Sequence, residues 1–259
     1  FEQEWLNQQG DAEQPAQALL EELIDLGFLE LYENQQVAEG CMGEGLVPSP
    51  VGDVTKVKPD GSIKHRLITD LRASMVNSCI EYGERQVLPR FLDHARDMAW
   101  ASLEGESWTL ILDFRHAFMT IPLARAEQRW MCSSTTTPVR RTRAAVRPEE
   151  PETGKFLVWR VLGFGGRSNP LLYSRCIGFV ARSTQAMLLA LERHTAARTW
   201  MQIYVDDPAV VQSGPTAAKL KSLNTLLLYW LVVGLPLAWL KGGLFGAEVP
   251  HQWIGVVFR

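Results

Sequence analysis

Apolar residues recur at helical spacing near the start of the chain: Ala16, Leu19, Leu20, Leu23 and Ile24 fall at i, i+3, i+4, i+7 and i+8. That period predicts an amphipathic helix, opened near Pro15 and closed near Gly27. Residues 34–53 carry Gly and Pro without a period and are predicted as loop. In DVTKVKPDGSIKHRLITDLR a PDGS turn separates TKVK from KHRLIT, which predicts a hairpin. A helix is expected over residues 89–100, after Pro89, and WTLILD (108–113) reads as a buried strand ending on an acid. FLVWRVL (156–162) is a further strand, GFGGRSNP (163–170) a Gly-rich turn, and Pro170 opens a long helix to about residue 192. MQIYV and AVVQ are strands on either side of Asp206 and Asp207.

From Ser222 to Leu240 the chain carries no charge, and NTLLLYWLVVGLPLAW is long enough to raise the question of a membrane span. Gly234 and Pro236 interrupt it and Lys219, Lys221 and Lys241 flank it, so a buried helix ending at Gly234 is expected, with no membrane partner. Two short strands, PLAWL and QWIGVVF, follow. Helices and strands mix without a regular βαβ repeat, which predicts an α+β sheet domain.

Composition sharpens this. The chain has 259 residues and is 46% apolar, enough for a packed core. Its net charge of -3 hides an asymmetry: residues 1–55 hold 12 acids and no Lys or Arg, whereas the rest carries all 26 basic residues against 17 acids. The bulk of the chain is therefore suited to a polyanion. Residues 133–155 form a charged insertion, with Arg140, Arg141, Arg143 and Arg147 before Glu149, Glu150 and Glu152. The cysteines at 41, 79, 132 and 176 have no metal or disulfide spacing and fit a reducing, intracellular location, cytoplasmic or nuclear. The start without Met and without a signal peptide suggests a chain cut from a longer protein.

The candidate chemistry lies in three carboxylates. Asp113 ends one apolar strand, and Asp206 and Asp207 end another. If those strands are neighbours, the acids meet at one sheet edge, where repulsion and desolvation disfavour them unless cations are bound. Hard oxygen ligands suit Mg²⁺. An aromatic-x-Asp-Asp tetrapeptide arises by chance in roughly one chain in twenty of this length, so independent residues are needed to give it meaning.

Those residues are present. The order KVKPDGSIKHRLITDLR, LILDFRHAFMTIPL, VLGFGGRSNPLLYSR, QIYVDDPAVV resembles the reverse transcriptases of retroviruses and LTR retrotransposons, over roughly residues 16–259. The resemblance implies a right-hand polymerase of fingers and palm, with a central antiparallel sheet flanked by helices and the thumb largely absent. It divides the chain into an acidic leader with an N-terminal helix (1–50), a fingers-type region (51–112) and a palm (113–259). It implies catalysis by Asp113, Asp206 and Asp207, two Mg²⁺ ions (Mn²⁺ possible) held by these acids and the Phe114 carbonyl, and nucleotide binding by Lys58, Arg66, Phe118, Phe164 and Gly165. Lys56 and Lys64 are rivals for the lysine role. Phe118 matches the steric gate against a ribose 2′-hydroxyl. Tyr204, Val205, Gly166, Trp253 and Gly255 would meet primer or template, the last two with Ile254 in a primer-grip hairpin. Lys241 is a possible general acid, though a lysine at a turn tip explains it as well. Asp70 and Arg72 match a structural ion pair. Expected partners are an RNA or DNA template with primer, dNTPs, and the RNase H and integrase domains of a polyprotein. Catalytic decay with retained nucleic-acid binding is the alternative.

Three positions depart from the pattern: Phe164 stands where Gln is usual, His116 where an acid is common, and Pro208 follows the acidic pair. His116 reads as a local turn residue, and Pro208 puts the hairpin register in question. Ending at the primer grip, the fragment is expected to hold duplex weakly and to synthesise without processivity.

Overall fold

The computed structural model describes residues 13–57, 61–81, 83–134 and 155–259. Lys58 and residues 135–154, which include the charged insertion's arginines and glutamates, lie outside the described residues. In chain order the elements are α1 (Glu13–Asp25), β1 (Leu29–Tyr32), α2 (Gln35–Met42), β2 (Pro48–Val57), β3 (Ile63–Thr69), α3 (Val76–Cys79), α4 (Phe91–Leu103), β4 (Ser107–Ile111), α5 (Arg125–Gln128), β5 (Cys132–Ser134), β6 (Phe156–Trp159), α6 (Asn169–Glu192), β7 (Arg198–Tyr204), β8 (Asp207–Ser213), α7 (Thr216–Val232), β9 (Gly243–Gly246), β10 (His251–Trp253) and β11 (Val256–Phe258). Two compact units interleave along the chain: Phe1–Tyr82 with Ile121–Asn169, and Gly83–Thr120 with Pro170–Arg259. The boundary expected at 112/113 thus falls inside the second unit, because β4 and the turn after it pack together there.

The first unit is built on a five-stranded sheet in the order β1-β6-β5-β2-β3. FLVW of β6 is buried along its whole length, as a central strand covered on both faces must be. β2 runs parallel to β5 and antiparallel to β3, with Val54 opposite Arg66 and Lys56 opposite Lys64. The predicted hairpin is therefore present. The expected loop over 34–53 is not: Asn34 accepts a hydrogen bond from Val37 N (2.9 Å), caps α2, and lets Ala38 seat in a core with Leu46, Cys132, Phe156 and Val158. β2 also begins earlier than expected, at Pro48.

The second unit carries a four-stranded antiparallel sheet, β7-β8-β4-β9. Side chains along β4 alternate between two packed layers. Ile111 meets Ala95 and Met98 of α4 and Trp253 of the β10–β11 hairpin. Trp108 faces α7, where the buried Lys219 ammonium lies 4.4 Å from its ring and donates to Glu106 O. The apolar stretch 222–240 is helical to Val232, and Gly234 (φ +80) turns the chain as predicted. α7 docks on α6 through Trp230 Nε1 to Thr184 Oγ1 (3.0 Å). No helix among the described residues is long and apolar enough to cross a membrane.

Two terminal predictions are corrected. PLAWL is not a strand: Leu237 makes one bridge to Phe114, then Trp239–Lys241 coil into a 3₁₀ turn. The ladder strand is β9, GLFG. Its glycines hid it, yet Gly242 just before it is required, since a Cβ there would stand 2.1 Å from Ile111 O. QWIGVVF is not one strand but the hairpin β10–β11, bent at Ile254 (φ +43) and Gly255 (φ +83). Both turn residues take positive φ, as two-residue hairpin turns of this kind require.

Candidate active site

In the second unit, β4 and β8 pair with Ile111 opposite Ala209. The register continues past the strand ends: Leu112 N donates to Pro208 O (3.1 Å) and Phe114 N to Asp206 O (2.9 Å). Asp113 therefore lies directly opposite Asp207, and opposed residues put their side chains on one face. Asp206 occupies the two-residue turn between the paired Tyr204 and Asp207. The three acids predicted to converge do so because an antiparallel register aligns them.

Their electrostatics follow from that placement. Burial pushes the Asp207 carboxyl up to about 6, and the charges of Asp206 and Asp113 add to it, while Lys241 opposes. Lys241 Nζ lies 2.7 Å from Asp113 Oδ2, with about half of the lysine side chain exposed. So the possible general acid reaches the carboxylates and partly neutralises them. Asp113 O also accepts from Ala238 N (2.8 Å), which fixes the segment leading to Lys241.

Pro208 is tolerated for a geometric reason. Its carbonyl points to β4, accepting from Leu112, so the N–H it lacks would also have pointed to β4: one hydrogen bond to Leu112 O is forgone just beyond the end of β4, and none to β7. The β7–β8 ladder keeps Ile203 opposite Pro208 without loss, and the register is unchanged. Val205 adopts φ +57 at the turn, a conformation rare for a β-branched residue. Trp253 Nε1 donates to Asp207 O (3.0 Å), so the predicted primer-grip tryptophan holds the acidic turn by its backbone. Gly255 and Ile254 form the adjoining hairpin turn, and Tyr204 packs on Ile111, Ala209 and Trp253.

Phe114 buries its ring against Trp230 (centroids 5.2 Å), so only its backbone is placed to serve the carboxylates. Phe118 lies in the 3₁₀ turn Ala117–Thr120 and is half-buried, its ring 5.2 Å from that of Tyr173. Sequence reasoning missed Tyr173. It is 1% exposed, its hydroxyl has no hydrogen-bond partner among the described residues, and burial, then Asp206 and Asp113, push that hydroxyl's pKa up. Its only sequence signal is a place one turn into the helix after the Gly-rich turn, which an ordinary core residue would share. His116 takes φ +52 in the turn and accepts from Arg115 Nε (3.0 Å), in keeping with a local role.

Phe118 apart, the described nucleotide-binding candidates belong to the first unit. Arg66 is exposed on β3, as is Lys56 on β2, and Lys64 is half-buried opposite Lys56. Phe164 bridges Ile68, its carbonyl accepting from Thr69 N (3.0 Å). Gly165 (φ +119) passes so close to β3 that a Cβ would stand 1.9 Å from Thr69 O. A Cβ on Gly166 would meet the buried Asn169 side chain at 2.5 Å. The expected Asp70–Arg72 ion pair is replaced by a turn: Asp70 Oδ1 accepts from Arg72 N (3.1 Å) and Ala73 N (3.3 Å), backbone groups nearer than the guanidinium.

Among the described residues no group of three or more His, Cys, Asp or Glu side chains is already arranged around a metal position. The donor set nonetheless fits a hard divalent cation: all the candidate donor atoms are oxygens, and beside the burial of Asp207 the neighbouring charges of Asp206 and Asp113 disfavour its ionised form unless a cation answers them. Lys241 is the cation that now answers them.

A family model described as reverse transcriptase (RNA-dependent DNA polymerase) matches residues 57–258. The chain belongs to that family. Among solved structures, the foamy viral protease-reverse transcriptase dRH in complex with double-stranded DNA is similar to this chain at 19% identity with a TM-score of 0.61. The match covers 94% of this chain and 33% of that one, so the chain spans about a third of its length. At that identity the likeness concerns the mixed α+β fold. A search of curated proteins finds no significant match.

Proposed function

We propose that the chain is a template-directed DNA polymerase domain of a retroelement polyprotein, joining deoxynucleoside triphosphates to a primer 3′-hydroxyl on an RNA or DNA template. The observation that carries this reading is the β4–β8 register, which sets Asp113 opposite Asp207 beside Asp206 in a chain of this family. Asp113, Asp206 and Asp207, with the Phe114 carbonyl, would hold two divalent ions. Those ions, magnesium or manganese, would supply Lewis acidity and neutralise charge in phosphoryl transfer. Lys241 would release Asp113 and face the leaving pyrophosphate. Phe118, backed by Tyr173, would exclude a 2′-hydroxyl, since its ring offers that group neither room nor a hydrogen bond.

Arg66, with Lys58 and the lysines beside it, would bind the triphosphate. The like-charged pair Lys56 and Lys64, opposed across a ladder at some cost in stability, supports a polyanion there. The dsDNA bound by the foamy viral protein supports a nucleic-acid partner. Four free cysteines are in keeping with work inside the cell.

Primer extension with dNTPs and Mg²⁺ tests the reading. Incorporation is expected from the chain and none from an Asp206→Asn, Asp207→Asn double variant. Undiminished incorporation by the double variant would sink the mechanism. One observation favours a second reading, nucleic-acid binding without synthesis: Lys241 already stands on Asp113 where a metal would. That reading expects metal-independent binding of primer–template and no extension.

A further inference from the structure

Phe164 is the position where this chain departs from its family's usual glutamine, and the Arg66 guanidinium lies over its ring, 5.8 Å from the centroid. No described carboxylate forms an ion pair with Arg66, so its charge is left for another partner. Within the first unit the ring is held in several ways. Phe164 O accepts from Thr69 N, three residues beyond Arg66 on the same strand. Ile68 and Phe164 form a bridge, and Gly165 packs directly on Thr69. Asn77 clamps the turn from the far side, Nδ2 donating to Gly165 O (2.9 Å) and Oδ1 accepting from Arg167 N (2.8 Å). Trp159 Nε1 donates to Thr69 Oγ1 (3.0 Å) beneath. The strand bearing Arg66 and the turn bearing Phe164 are thus fastened together by backbone contacts.

We propose that Phe164 is a positioning residue for Arg66: its ring holds the guanidinium by cation–π contact and presents it in one orientation to a nucleoside triphosphate. A glutamine there would act by its own hydrogen bonds. A phenyl ring has none to give and acts through the arginine, whose free stem rotations it restricts before ligand arrives. This inference rests on the proposed role of Arg66.

The test uses the whole chain with primer–template and dTTP in Mg²⁺. Phe164→Leu is expected to raise the KM for dTTP about two- to fivefold, the range of an exposed cation–π contact, with kcat and thermal midpoint little changed. Phe164→Trp, which keeps an aromatic face, restores the parent KM. In an Arg66→Ala background, Phe164→Leu adds nothing. A readout independent of catalysis is the Arg66 Nε–H NMR signal, displaced by the ring current in the parent chain and not in Phe164→Leu. An Arg66 signal that Phe164→Leu leaves unmoved overturns the proposal. A dTTP KM raised by Arg66→Ala but not by Phe164→Leu overturns the positioning role alone. A dTTP response, in kinetics or in the NMR signal, that is absent from the parent chain overturns the role of Arg66 as well.

Discussion

Lys241 Nζ stands 2.7 Å from Asp113 Oδ2, across 128 residues of chain. The pair puts a protein cation where the proposed mechanism needs a metal, so the two compete. The lysine is half-exposed, and such pairs contribute no more than about 1 kcal/mol. Lys241→Met is therefore expected to tighten Mn²⁺ binding by at most about fivefold, read by electron paramagnetic resonance, and to leave the thermal midpoint nearly unchanged.

Asp207 carries the clearest pH signature of the carboxylate cluster. Its folded-state pKa of about 6 exceeds the ordinary value of 3.8, so between those values the folded state holds more protons than the unfolded one. Stability then falls as pH rises from about 4 to about 6, and the loss is complete above that window. Asp207→Asn should remove this loss. In chelator, the variant's stability advantage at pH 7 is expected to be about 1–2 kcal/mol and to vanish near pH 4, followed by denaturant melts. Saturating Mg²⁺ should narrow the difference at pH 7.

Val205 keeps a positive φ of 57 at the turn that presents Asp206. A β-branched residue there stores about 1–2 kcal/mol of strain. Val205→Gly relieves it but loosens the unfolded chain. A net gain of about 0.5–1 kcal/mol in unfolding free energy is expected, together with slower primer extension, as the turn loses its fixed shape.

Tyr173 buries a hydroxyl that has no hydrogen-bond partner among the described residues, behind Phe118. Removing an unsatisfied buried group while keeping the ring should stabilise the fold. Tyr173→Phe is expected to gain about 1 kcal/mol with ribonucleotide exclusion intact. Tyr173→Ala removes the support itself, and should lower the ratio of dTTP to ribonucleotide incorporation by roughly tenfold in single-turnover assays.

Much of the fold was legible wherever periodicity and punctuation agreed. The α1 helix, the β2–β3 pairing, the helix from Asn169 and the strands flanking Asp206 all appear as expected. The failures share a cause. α2 lies in a Gly-bearing stretch, but a single Asn34 side chain caps it. β9 is bounded by glycines, and Gly242 before it is needed where the chain meets Ile111 O; glycine carries no periodic signal. The Asp70–Arg72 ion pair was expected from the family resemblance, whereas short carboxylates also bond to nearby backbone N–H groups, as Asp70 does here. For the candidate site, the acids, Phe118, Lys241 and the Trp253 hairpin could be named in advance as candidates, whereas Tyr173 could not, because a buried tyrosine packed on Phe118 has the same spacing as any core residue.

Linear order and residue type were enough to identify the carboxylates and the family pattern around them, since both are written in local motifs. They were also enough to raise the doubt over Pro208. Folding resolved that doubt through hydrogen-bond direction: the missing N–H faces β4, where one bond to Leu112 O is forgone, and the β7–β8 register is kept. Folding also set Asp113 opposite Asp207, Lys241 on Asp113 and Arg66 over Phe164. Each of these pairs residues far apart in the chain, and such distances are closed only by strand register and packing, which no local pattern encodes.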